Sequence, residues 1–135
     1  MARPYGYRTG ERIPILMPVD ASTSAISAGD FLALGTAGYV QQAAAGNRPV
    51  GVAMADCSVP GSDGALSVLV DVSTDSIYEF PPDTGSATAA LLMTLVDVGG
   101  AQSIDIDATT DKVFRVVKVD TVNNTVWGQI VLATA

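Results

Sequence analysis

The segment SIDIDATTD comes nearest to a metal-binding pattern in this chain. Asp105, Asp107 and Asp111 stand at positions 1, 3 and 7 of a calcium-loop template. That template needs glycine at position 6 for its sharp turn and a bidentate glutamate at position 12. Thr110 and Val116 occupy those places, so the aspartates read as a solvated strand edge and no metal is expected. A second acidic group, Asp75, Glu79 and Asp83 in STDSIYEFPPD, supplies the residue type of a glycosidase pair. Such a pair works only across a substrate cleft, and nothing in the pattern builds one. Cys57 is the single cysteine and the chain has no histidine. A thiol or serine nucleophile therefore lacks its usual base, and a zinc site lacks its usual ligands. No phosphate-binding loop occurs, and the lysines are only Lys112 and Lys118. The residue supply argues against an enzyme, with no catalytic residue and no cofactor expected.

The elements that would position these side chains belong to one small domain. A chain of 135 residues buries enough surface to hold a core without staples. Hydrophobic residues make up 48% and charged residues 16%, and the mean hydropathy is +0.35, yet no apolar run reaches a membrane span. The excess apolar character fits either burial against other chains or a compact β-core with a Ser/Thr/Ala-rich surface. The net charge of −7 disfavours nonspecific nucleic-acid binding. It is unevenly spread: Arg3, Arg8 and Arg12 against Glu11 give +2 in the first twelve residues, leaving −9 on the rest. With Tyr5, Tyr7 and two glycines, residues 1–18 read as an extended basic arm suited to an acidic protein surface, and residues 19–135 as the body. RIPILMPV is too short, and too interrupted by proline, for a signal-peptide core.

Short β-branched runs bounded by turn residues predict strands at 13–19, 31–34, 39–42, 50–55, 66–72, 76–80, 91–96, 103–106, 113–119 and 125–132. The fold class expected is all-β, a compact β-barrel or sandwich of nine or ten strands. Residues 84–95 also carry a helical pattern, whose second half the following VDV turns toward strand. Two stretches align weakly at offsets of 60 to 63 residues: DFLALGTAGYVQQ with LLMTLVDVGGAQSIDI, and RPVGVAMAD with DKVFRVVKVD. GALSVLVDV then falls beside NTVWGQIVLA. The repeat implies a pseudo-symmetric barrel or sandwich that closes its sheet edges.

The order of these motifs, ISAGDFLAL, YVQQAAAGNRPVGVAMAD, GSDGALSVLVDV, LLMTLVDVGGAQSIDI and TVWGQIVL, resembles the small β-barrel head-decoration, or capsid cement, proteins of tailed double-stranded-DNA bacteriophages. The resemblance covers about residues 26–132. The chain departs from it in Ala89-Ala90, in the Pro81-Pro82 loop and in its N-terminal segment. It implies a non-catalytic virion protein, made in the host cytoplasm, that sits on the outer surface of the head and stabilises it. The partner implied is the phage major capsid protein, and the basic arm, by its charge, tyrosines and glycines, is expected to contact it through Arg3, Tyr5, Tyr7, Arg8 and Arg12. A homo-oligomer is expected, a trimer ahead of a dimer, with no membrane or nucleic-acid partner. The rival readings are another phage structural β-module, of tail or fibre, and a carbohydrate-binding β-domain, although aromatics are only 6% of the chain.

Overall fold

The computed structural model describes residues 6–131, and within them the chain is all-β. Eleven strands run in order: β1 (Gly6–Thr9), β2 (Pro14–Pro18), β3 (Phe31–Leu34), β4 (Val40–Gln42), β5 (Gly51–Ala53), β6 (Ser67–Asp71), β7 (Ile77–Phe80), β8 (Leu95–Gly100), β9 (Ser103–Asp105), β10 (Phe114–Asp120) and β11 (Thr125–Ile130). Each of the ten predicted strands overlaps one of these, the one at 91–96 by two residues only. The eleventh, β1, lies in the segment expected to be an arm. The helical pattern at 84–95 yields one 3-10 turn, Ala89–Leu91, and β8 starts at Leu95 rather than residue 91.

The strands form two antiparallel sheets, of order β2-β6-β5-β3-β4 and β1-β7-β11-β10-β8-β9. Without β1, the second order repeats the first strand for strand. The pairing registers make the correspondence residue-specific. Ile15 faces Val70 as Tyr78 faces Gly128, Ala53 faces Val70 as Val116 faces Gly128, and Phe31 faces Val52 as Leu95 faces Arg115. Equivalent residues lie 58 to 64 positions apart along the chain, a wider range than the alignment indicates.

The turns repeat as well. Gly29 N–H donates to the Ala53 carbonyl at 2.8 Å, and Met93 N–H to that of Val116 at 2.7 Å. Asp30 N–H bonds the Ser27 carbonyl as Thr94 N–H bonds that of Leu91, at 3.0 Å each. The left-handed conformation this turn needs falls on Gly29 (φ 96°) in the first half and on Met93 (φ 62°) in the second. In each half a one-residue parallel bridge, Val19 to Val40 and Pro82 to Ile104, then joins the end of the first strand to the third. In the first sheet the two edge strands meet there; in the second the edge strand β9 meets the end of β7, whose other side β1 covers. The protein is thus an internally duplicated five-strand unit with one added strand.

Packing distinguishes the halves. Leu32, Val40, Ala53, Val68 and Val70 bury one another within the first unit. Phe31 points the other way along β3, by the two-residue alternation of a strand. Its ring packs on Phe80 at 4.4 Å and edge-on to Phe114 at 6.0 Å. Ala33, Ala43 and Val52 join it in the core of the second unit. Equivalent positions also exchange bulk: Gly51 and Val70 in the first unit become Phe114 and Gly128 in the second. A Cβ on Gly51 would meet Val70 Cγ1 at 2.6 Å, and one on Gly128 would meet the Phe114 ring at 2.4 Å. Each unit thereby fills the same space from the opposite strand.

Candidate functional site

The basic N-terminal segment is the part of the sequence singled out for contact. Arg3 and Tyr5 lie outside the described residues. From Gly6 onward the segment expected as an extended arm over residues 1–18 runs as two strands laid on the body. Residues β1 and β2 contribute are paired with β7 of the second unit and β6 of the first. Consecutive strands of the segment therefore straddle the junction between the units, and the connection between β6 and β7 runs beneath them. Ser76 Oγ donates to the Glu11 carbonyl at 3.3 Å across this crossing.

Two carboxylates anchor the segment. Arg8 Nε donates to Glu79 Oε1 at 2.7 Å, and the hydroxyl of Thr125 donates to the other Glu79 oxygen. Arg12 Nε stands 3.5 Å from Asp71 Oδ2, an ion pair without hydrogen-bond geometry, while its guanidinium lies 4.1 Å from the centre of the Tyr7 ring. Tyr7 meets Tyr78 edge-on, 5.8 Å between centroids. Asp71 is fully buried. It accepts the N–H groups of Ile13 at 2.9 Å and Ser73 at 3.0 Å, and the hydroxyl of Tyr78. Burial alone would raise the pKa of Asp71. The hydrogen bonds from Ser76, Tyr78 and the two amides outweigh it and hold the carboxyl below its ordinary value. Burial, reinforced by the bond to Asp71, pushes the Tyr78 hydroxyl well above the ordinary tyrosine range.

These directions set a pH profile. Asp71 has the lower pKa when folded, so its contribution is complete above the unfolded value, ordinarily about 3.9, and falls away as pH drops through the folded one. Tyr78 has the higher pKa when folded, so its contribution is complete below about pH 10 and declines above it. Urea denaturation at pH 7, 4, 3 and 2 should show stability falling in acid, with a shallower fall in Asp71→Asn. An identical acid slope in the variant would remove Asp71 from this role.

Beside β1 lies a groove of about 380 Å³. Tyr7, Arg8, Arg12 and Tyr78 line it together with Ala28, Gly29, Ala53 and Met54. Trp127 stands nearby, with Lys118 Nζ 4.2 Å from its ring and the Arg8 guanidinium at 6.0 Å. The two guanidinium groups that line the groove are paired with the chain's own carboxylates, which leaves the groove little uncompensated charge.

The other singled-out residues are engaged in backbone bonding. Asp105 accepts the N–H of Asp107 at 3.2 Å, and Asp97 accepts those of Asp111 and Lys112, both at 2.9 Å. Asp97, a residue the sequence reading passed over, thus organises the turn that carries Asp111, while Asp105 at the end of β9 organises the one that carries Asp107. Among the described residues no group of three or more His, Cys, Asp or Glu side chains is spaced to hold a metal ion. Asp83 accepts the Thr84 N–H at 2.8 Å. Asp30, the acidic residue of the AGD motif, is fully buried. It accepts Ser27 N–H at 2.8 Å, Gln42 Nε2 at 2.9 Å, and the Gln102 side chain from the other unit. Cys57 is partly buried and bridges to Ile26.

Comparison with protein-family models, with curated proteins and with solved structures returns no match.

Proposed function

We propose that this protein is a non-catalytic virion component that binds the outer surface of a tailed-phage head through the major capsid protein and stabilises the mature shell. The reading rests on the motif order that resembles head-decoration proteins. The observation that supports it best is how those motifs are used. The aspartate of AGD is a buried tie between the two units, and the valine strands form the interior of a doubled β-scaffold. The acidic side chains with catalytic spacing brace turns and strands. A rigid body of this kind suits a spacer between capsid subunits. The basic segment enters the reading as a fixed edge: from Gly6 it is held to the body by Glu79 and Asp71.

Binding only the mature lattice stabilises it by mass action, about 2.7 kcal/mol per site at 100 times the dissociation constant. Over a shell of many sites this opposes rupture by packaged DNA. Heads lacking the protein are expected to release DNA at a lower temperature than decorated heads, and added purified protein should restore the higher value. Identical release curves at saturating occupancy would overturn the reading.

A further inference from the structure

The duplication shows which surface of each unit is left open. In the second unit Tyr78, Phe80, Val113 and Ile130 are sealed, each at most 3% exposed, in a core that Phe31 of the first unit joins by packing on Phe80. Their equivalents in the first unit are Ile15, Met17, Val50 and Val72. Ile15 is 44% exposed and the other three are only partly buried. The equivalent apolar face of the first unit therefore packs inward on that unit's own core and is only partly covered by the described chain.

The complementary surface is open on the second unit. In the first unit the seal is Phe31, two residues after the Gly29 turn. The equivalent on the second unit is Leu95, two residues after the Met93 turn, where Leu92 and Met93 are 51% and 63% exposed. Methionine holds here, against its steric preference, a left-handed conformation that its equivalent gives to glycine. No charged residue occurs between Asp83 and Asp97, in a chain of net charge −7. One surface has the form of the intrachain plug and the other that of the intrachain socket.

We propose that copies of this chain associate head to tail, the Leu92–Leu95 turn of one copy seating on the Ile15, Met17, Val50 and Val72 face of the next. The contact repeats between chains the packing that joins the two units within one chain. It is heterologous, since the two faces differ, and identical subunits joined this way form rings when the rotation closes. The inference concerns self-association alone and does not depend on the capsid reading.

Complementation tests it. Wild-type protein should sediment as a multiple of the 13.8 kDa chain. Leu92→Asp and Ile15→Asp each destroy one face, so each alone should sediment as a single chain. An equimolar mixture retains one intact plug and one intact socket, and should form a two-chain species. Both positions are exposed, so circular dichroism should be unchanged. Met93→Gly, which installs the residue of the equivalent turn, should keep the fold and weaken association at least about tenfold. A wild type that stays a single chain at its highest soluble concentration would overturn the proposal. So would variants that keep the wild-type mass, a mixture that stays single-chain, or a Met93→Gly protein with undiminished association.

Discussion

Asp71→Ala is expected to lower the unfolding free energy by about 3 kcal/mol or more, the loss typical of breaking a buried charged network on one side. The carboxylate sits where β2, the β6–β7 connection and β7 converge. Its removal leaves the N–H groups of Ile13 and Ser73 and the Tyr78 hydroxyl without their acceptor. Each buried polar group so orphaned costs on the order of 1–3 kcal/mol. It also leaves the Arg12 guanidinium without its counter-charge. Arg12→Met separates the two contributions. It removes the 3.5 Å ion pair of a partly exposed arginine and its contact with the Tyr7 ring, each worth about 1 kcal/mol or less, so its cost should stay below that of Asp71→Ala. Urea denaturation of the two variants measures both values. An Asp71→Ala loss no larger than that of Arg12→Met would mean that the carboxylate does not organise the junction.

Gly128→Ala should be comparably damaging for a steric reason. An added Cβ would lie 2.2 Å from the Arg115 carbonyl oxygen and 2.4 Å from the Phe114 ring. Neither can withdraw easily, because Arg115 is paired with Gln129 on β11 and Phe114 is fully buried. Overpacking of this kind costs typically 1–3 kcal/mol. Phe114→Ala should cost about 3–5 kcal/mol through the cavity it opens. The two changes meet in the same space, so the double variant should lose less than the sum of the singles by about 1 kcal/mol, a coupling expected of contacting residues. Part of the loss persists, since the backbone carbonyl does not move with the ring. Strict additivity in a thermal or urea double-mutant cycle would show that the glycine does not make room for Phe114.

Much of the strand pattern was legible from local sequence. Runs such as Leu66 to Val72 alternate and are rich in valine, and glycine, proline and asparagine mark their ends, so propensity and neighbours suffice to place them. The strand β1 was not legible that way. GYRT has no β-branched run, lies between Gly6 and Gly10, and becomes a strand because β7 offers it an edge. The start of β8 moved for a similar reason. Leu91 to Thr94 must make the turn that its equivalent, Ser27 to Asp30, makes in the first unit, and the local preference for strand yields to that hydrogen bonding.

The repeat was visible only as an order of turns and strands. Side-chain identity had drifted because volume is conserved across a pair of strands rather than at a position, as Gly51 with Val70 and Phe114 with Gly128 show. The candidate site was legible as composition: three arginines and two tyrosines in a short segment. Composition could not tell a trailing arm from a pinned one. Glu79 follows Arg8 by 71 residues, and Asp71 follows Arg12 by 59. What the sequence determined by itself was the strand class, the turns and the absence of the usual catalytic residue sets. Only the tertiary structure decided that the units correspond residue by residue, that the basic segment clasps their junction, and which apolar surfaces stay open. Strand class depends on interactions within a few residues, whereas partner, register and burial depend on which distant segments the closed sheets bring together.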